Sequence, residues 1–355
     1  MSCLFNLLRN YVYRRSAADG LCRKYMYTAT CGRYCTSLSI EKGYRSFSTS
    51  FHVHNRTSHS KVISFSRLIQ TWTERLSRAD VPEAECSVNL IVAHAFGKKM
   101  VHEVDMKTVL SEQILRSIDE MCSERLKRVP VQYIIGEWDF HDMTLEMRQP
   151  VLIPRPETEE LASIIVDEWP LEREQEGTFL EIGCGTGALS LYILSKLPNV
   201  QCIAVDKSET ACTLTLTNAS RFNLQDRIQV IHGDIFKDQT ISELSCNGPY
   251  NVLVSNPPYL TSDEMDTLEK EVAGYEDHGA LHGGTDGLDI ICRILAESCN
   301  LIKDKQSVLW LEVGLEQPEK IKKIVELHPE FMLSYIKTIQ DFTQRGRFCK
   351  LQLKK

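Results

Sequence analysis

The sequence predicts an α/β protein, a doubly wound, mostly parallel sheet preceded by a small all-α helical bundle and a β-hairpin connector. Three observations carry this. Residues 178–182 read as a buried strand and run straight into Gly183, Cys184, Gly185, Thr186 and Gly187, then into an apolar helical run over 188–197: strand, glycine turn, helix, the opening of a βαβ unit. Short apolar runs recur at 201–205, 228–231 and 251–255, each leading into a polar residue, Asp206, Asp234 or Asn256, as buried parallel strands do. Upstream, over 61–129, apolar residues return at helical spacing instead.

The 355 residues, 43% hydrophobic and 25% charged, suffice for a sizeable core and roughly one to three domains. No run approaches the ~18 consecutive apolar residues a membrane span needs. The net charge of -7 is uneven: residues 1–60 carry nine Lys/Arg against two acids, which leaves 32 basic and 46 acidic residues in the body. So acidic a body repels phosphate backbones, which argues against a direct nucleic-acid binder and for a protein substrate. The 13 cysteines are odd in number and never spaced Cys-x-x-Cys, so free thiols in a reducing compartment are expected, with no metal site.

Within residues 1–60, Arg9, Arg14, Arg15, Arg23, Lys24, Arg33, Lys42, Arg45 and Arg56 alternate with apolar and hydroxyl residues while acids are nearly absent. That is the composition of a mitochondrial transit peptide, with a disordered leader and cleavage near Ser48 expected. Over 61–130 the stripes Leu68, Ile69, Trp72, Leu76, then Leu90 and Ile91, then Ile114, Leu115, Ile118, Met121, Cys122 and Leu126 give each helix one apolar face, and three to five such helices make a bundle. His94 and His102 fall on these helices as packing or surface residues. Residues 131–153 alternate around His141-Asp142 and read as a hairpin; Pro154 and Pro156 then stiffen the entry, past Arg155, to the domain at 154–355.

The glycine turn lets a ligand reach main-chain N–H groups at a helix start, and Asp206 can accept both hydrogens of a ribose diol. Alone this does not separate S-adenosylmethionine from NAD, since the glycine spacing with an acid about 20 residues on also matches the dinucleotide fingerprint. Two features favour the former: the glycines continue as G-x-G-x-G, and Glu181 precedes them, where a carboxylate would face a cationic amino or sulfonium group but repel a pyrophosphate. Asp234 is an acceptor for an adenine amine, or a turn residue.

Asn256-Pro257-Pro258-Tyr259 decides the chemistry. A planar amide or amino nitrogen has its lone pair delocalised and is a poor nucleophile. Asn256 Oδ1 and the Pro257 carbonyl, held by the fixed proline φ, can accept its two N–H groups and aim the nitrogen at a methyl donor. Tyr259 offers an aromatic face to the planar group.

These residues, with the 130–137 segment, the 153–159 segment around Arg155 and the 204–206 strand end, resemble the HemK/PrmC family of release factor glutamine methyltransferases in its mitochondrial form, over about residue 66 to the end. The resemblance implies a class I methyltransferase, Rossmann-like, with a seven-stranded sheet. It implies N5-methylation of the glutamine in the Gly-Gly-Gln motif of a mitochondrial class I peptide-chain release factor in the matrix, with S-adenosyl-L-methionine as cofactor and the helical domain docking the factor. Carried over by position, Glu181, Gly183, Cys184, Gly185, Thr186, Gly187, Asp206, Asp234, Ile235 and Asn256 hold the cofactor, the stacking role at Ile235 being weaker here or passed to Phe236. Asn256, Pro257, Pro258, Tyr259 and Arg155 hold the glutamine, with Asn256, Pro257 and Tyr259 catalytic. A monomer is expected. The glycine-rich loop at 283–287 is a lid or a plain turn. The rivals are an adenine amino-methyltransferase acting on nucleic acid, which shares the tetrapeptide, a non-catalytic release-factor binder and a dinucleotide oxidoreductase.

Overall fold

The computed structural model describes residues 64–105, 107, 108, 110–170 and 175–354, so the transit-peptide expectation lies outside the described residues. The chain divides into two compact units, 1–68 and 69–355; of the first only 64–68 are described, as the opening of helix α1 (Phe65–Arg78). The second unit begins with the rest of α1, followed by α2 (Ala84–Ala95), α3 (Glu112–Leu126) and the short α4 (Val131–Ile135). Of the expected stripes Trp72, Leu76, Ile91, Ile118 and Cys122 are buried, joined by Val88, while Leu90, Ile114, Leu115, Met121 and Leu126 are half-buried; the Trp72 indole donates to Asp119 at 2.9 Å. Helix α3 starts at Ser111, whose hydroxyl accepts the Ile114 N–H at 3.2 Å and so satisfies one of the donors a helix start leaves open.

The hairpin is shorter than its alternation suggests. Residues 131–135 wind into α4 instead of a strand, because Pro130 at the N-cap fixes a compatible backbone and Gly136, at φ 74°, ends the turn in the left-handed region. Strands β1 (Glu137–Phe140) and β2 (Met143–Glu146) then pair antiparallel, Glu137 opposite Glu146, through a turn at His141.

After α5 (Pro156–Asp167), opened by proline in the first helical turn, come β3 (Gly177–Ile182), α6 (Ala188–Lys196), β4 (Val200–Asp206), α7 (Glu209–Arg221), β5 (Ile228–His232), α8 (Asp238–Asn247) and β6 (Val252–Ser255). Two short helices follow, α9 (Ser262–Met265) and α10 (Lys270–Tyr275), then α11 (Asp289–Leu301), β7 (Val308–Glu312), α12 (Gln317–Leu327) and the closing strands β8 (Leu333–Gln340) and β9 (Gly346–Leu353). The seven-stranded sheet has the order β5-β4-β3-β6-β7-β9-β8, parallel from β5 to β7, with β9 antiparallel to both neighbours.

Successive residues of the buried strands feed opposite layers, which is why these strands are apolar on both faces. Phe179, Val252, Val254 and Trp310 pack with Leu161 and Ile165 of α5 and Leu191 and Leu194 of α6. Leu180, Leu253, Leu309 and Leu311 pack with Leu244 of α8, Ile291 and Leu295 of α11 and Ile321 of α12. Each such side chain contributes about 1.5–3 kcal/mol by leaving water, so a charge at Leu180 or Trp310 would unfold the sheet.

The chain runs outward over β3, β4 and β5, then returns to place β6 beside β3. In such a sheet ligands bind beyond the strand carboxyl ends where the order reverses. Ile182 pairs with Ser255 across that switch point, and the Ser255 hydroxyl donates to the Ile182 carbonyl at 2.7 Å. The glycine turn and Asn256 therefore leave the sheet side by side.

Candidate functional site

A cleft opens there, lined by Gly183, Gly185, Asp206, Lys207, Gly233, Asp234, Ile235, Phe236, Asn256, Pro257, Pro258, Asp277 and Gly279, among others. The topology thus brings together residues from four strand ends. Gly183, Gly185 and Gly187 have φ of 81°, 54° and 79°, a region L side chains rarely adopt. Nothing lies within 4 Å of where a Cβ on Gly185 would stand, so its absence leaves room in the cleft itself. Cys184, Thr186 and Gly187 belong to the turn but do not line the cleft. Cys184 and Thr186 are buried behind it, the Thr186 carbonyl accepts the Asn218 amide at 2.9 Å, and a Cβ on Gly187 would meet Thr215 at 3.0 Å.

Asp206 anchors the turn. Its Oδ2 accepts the Gly185 N–H at 3.0 Å and its Oδ1 the Ser208 N–H at 2.9 Å, while each oxygen keeps acceptor capacity toward the cleft. Burial raises its carboxyl above the usual aspartate range, the two amides pull it back, and Asp277 raises it further. A vicinal diol is the neutral donor pair such an acceptor suits. Asp234 also lines the cleft, and its Oδ1 accepts the Phe236 N–H at 3.0 Å, so it is a turn residue as well as an available acceptor. Ile235 is buried and Phe236 is 51% exposed, both at the cleft, which makes Phe236 the larger apolar face on offer.

Three expectations need correction. Glu181 does not face the cleft: its Oε2 accepts the Ser190 N–H at 3.1 Å and the Ser190 hydroxyl, on the α6 side of the sheet. It shares that side with Phe179, two residues before it, because strand side chains alternate; burial pushes its carboxyl up to about 8. Arg155 does not line the cleft either. One guanidinium nitrogen bridges both oxygens of buried Glu276 at 2.8 Å, and Glu276 also accepts the Ile153 N–H at 3.3 Å, so the pair clamps the entry to α5 onto the segment after α10. Tyr259 turns its ring into the protein, with the Arg347 guanidinium 5.1 Å over its centroid and donating to its hydroxyl at 2.8 Å.

Asn256 sits at the cleft with its Nδ2 donating to Thr158 Oγ1 at 3.0 Å. Thr158 Oγ1 in turn donates to Glu312 Oε2 at 2.8 Å, and Arg347 donates to Glu312 Oε1 at 3.3 Å. Burial pushes the Glu312 carboxyl up to about 7 against the opposing pull of Arg347. Thr158, Glu312 and Arg347 come from three distant segments, and no local pattern announces them as a group.

The 283–287 loop packs against the tetrapeptide. A Cβ on Gly283 would lie 2.6 Å from the Pro258 carbonyl oxygen, and one on Gly287 would collide with the Tyr259 carbonyl. The Gln317 amide donates to the Tyr259 and Gly287 carbonyls at 2.9 and 3.0 Å while its oxygen accepts the Gly314 N–H at 2.7 Å. Glycines let this loop press against the tetrapeptide and fix its backbone. Among the described residues no His, Cys, Asp and Glu cluster could hold a metal, no disulfide joins the nine cysteines, and no helix is long and apolar enough to cross a membrane.

Comparison with known proteins adds to the geometry. The family model for the PrmC N-terminal domain matches residues 67–136, and that for the Methyltransferase small domain matches 162–273. The chain is 42% identical over 293 residues to the MTRF1L release factor glutamine methyltransferase of Homo sapiens, covering 80% of this chain and 86% of that protein. It is 30% identical to a release factor glutamine methyltransferase of Rhodopirellula baltica, over 70% of this chain and 83% of the relative. A third, from Streptococcus pneumoniae, is 34% identical over 66% of this chain and 78% of its own length.

Proposed function

Because this chain belongs to the release factor glutamine methyltransferase family, we propose that it methylates N5 of the glutamine in the Gly-Gly-Gln motif of a class I peptide-chain release factor, acting as a monomer in the mitochondrial matrix. It is a class I methyltransferase dependent on S-adenosyl-L-methionine. The observation that carries the finer reading is Asn256 at the switch-point cleft, with its amide nitrogen engaged by Thr158 and its oxygen free for a donor.

Bound S-adenosylmethionine supplies a methyl group already activated by its sulfonium. Gly183 and Gly185 fit such a ligand, since a side chain on Gly185 would project where no protein atom stands. Asp206 holds the ribose diol, Asp234 the adenine amine, and Ile235 with Phe236 the purine face. Asn256 Oδ1 and the Pro257 carbonyl accept the two N–H groups of the glutamine side chain, so its nitrogen is oriented for attack; orientation of this kind is worth roughly 7–11 kcal/mol of barrier. The proton lost on methylation leaves from a nitrogen that has become cationic and strongly acidic, so no strong base is required. Pro258 packs beside the amide, and Tyr259 acts through its position, pinned by Gln317 and Arg347. The helical domain docks the factor, and the basic composition of residues 1–60 supports delivery to mitochondria.

The test is to incubate the protein with labelled cofactor and a recombinant class I release factor, then map the product by mass spectrometry. The reading expects one methyl group on the glutamine of the Gly-Gly-Gln peptide; label appearing on adenine in DNA or RNA instead would replace it with the nucleic-acid reading.

A further inference from the structure

Asn256 performs its proposed task only if its carboxamide presents oxygen to the cleft, and a carboxamide is nearly symmetric in shape. Something must choose between the two orientations. Thr158 Oγ1 has one hydrogen, and the structure spends it on Glu312 Oε2 at 2.8 Å, leaving only acceptor capacity toward Asn256 at 3.0 Å. Glu312 is fully buried and Thr158 is 6% exposed, so no water substitutes for either partner. Turning the Asn256 amide over would point its oxygen at Thr158, draw the threonine hydrogen away from Glu312 and strand a buried carboxylate oxygen, a heavily penalised arrangement.

We infer that Thr158 and Glu312 are positioning residues, a polarity relay in which the acceptor-only Glu312 carboxylate, through the single Thr158 hydroxyl, forces Asn256 to aim Oδ1 at the substrate nitrogen. Arg347, donating to Glu312 Oε1 at 3.3 Å, holds the carboxylate in register. The inference rests on the proposed reading of Asn256 and deepens it. It makes a prediction that packing alone does not: an isosteric change that keeps both hydrogen bonds of the Thr158 hydroxyl but reverses their direction should disable the site. Glu312→Gln is that change. Arg347 donates only, so it selects the Gln oxygen; the Gln NH2 then donates to Thr158, and the threonine hydrogen passes to Asn256, which turns over.

The experiment measures kcat, KM for a recombinant release factor, cofactor Kd and Tm for the wild-type full chain and for Glu312→Gln, Thr158→Val and Thr158→Ser. The relay expects kcat to fall by roughly 10- to 100-fold in Glu312→Gln and Thr158→Val, as for a lost charge-assisted hydrogen bond. Cofactor Kd should stay within about twofold, and Thr158→Ser, which keeps the hydroxyl, should retain most of the rate. Glu312→Gln keeps size and hydrogen-bond count, so it reads out even if Thr158→Val fails to fold. A folded Glu312→Gln protein with kcat within about twofold of wild type overturns the relay, as does Thr158→Ser losing as much as Thr158→Val. A wild-type protein that leaves the glutamine unmethylated is a different failure: it removes the functional reading, and the relay with it.

Discussion

Replacing Asp206 by Asn tests the cofactor half of the site with little change in shape. The carboxylate accepts the Gly185 N–H on Oδ2 and the Ser208 N–H on Oδ1, at 3.0 and 2.9 Å, and offers its remaining lone pairs to the cleft. Asparagine has one acceptor oxygen, so its NH2 must face either the Gly185 or the Ser208 N–H, and the charge that strengthens any bond to a ribose hydroxyl is gone. Losing one charge-assisted hydrogen bond costs about 1.5–3 kcal/mol, or roughly a 10- to 150-fold rise in Kd. Calorimetric titration with S-adenosylmethionine measures that directly, and kcat at saturating cofactor should stay within a few-fold of wild type because Asp206 touches no reacting atom. An unchanged Kd, or a fall in kcat at saturation as large as the affinity loss, would refute the assignment.

Three more outcomes follow from the geometry. Glu181, with its folded carboxyl near 8 and an unfolded value near 4.5, keeps a proton in the folded state that the unfolded chain releases, so stability should decline by up to a few kcal/mol as pH rises between those values. Urea unfolding at pH 5 to 8 should give that slope for wild type and a shallower one for Glu181→Gln; equal slopes would exclude Glu181 as its source. Gly287→Ala would drive a Cβ into the Tyr259 carbonyl at a φ of 76°, so Tm should drop by several degrees and kcat more than cofactor affinity, measured by calorimetry and steady-state assay. Glu312 is hydrogen-bonded to Thr158 and Arg347 and feels the charges of Glu157 and Arg155 at the head of α5, and burial pushes its carboxyl up to about 7; protonation gives it a hydrogen to donate to Thr158, so kcat should fall as pH drops below about 7, and the residual rate of Glu312→Gln should lack that limb.

The parts of the fold legible in the sequence are those with a local physical signature. The strand, glycine turn and helix at 177–196 and the apolar strands ending in Asp206 and Asn256 needed only burial periodicity and the φ demands of glycine. Residues 131–135 misled because apolar alternation over five residues does not distinguish a strand from one helical turn flanked by Pro130 and Gly136. Glu181 was legible in principle: alternation from Phe179 puts it on the helix-covered side of β3, though its proximity to the glycines suggested the cleft. Arg155 and Tyr259 looked like ligand groups because they flank the motifs, but their partners, Glu276 and Arg347, lie 121 and 88 residues away. The Thr158–Glu312 pair, 154 residues apart, is visible only once the sheet brings α5 to the end of β7.

The central claim is that one carboxamide oxygen, at Asn256, aims the substrate nitrogen. Single-turnover methyl transfer from pre-bound S-adenosylmethionine to a recombinant release factor, comparing wild type with Asn256→Ala, tests it with fold and cofactor affinity checked on the same samples. The predicted result is a rate lower by roughly 10²- to 10³-fold with cofactor Kd nearly unchanged, as for loss of a preorganised polar contact at a reacting group. A rate within about threefold of wild type, with the glutamine still the methylated residue, would contradict it.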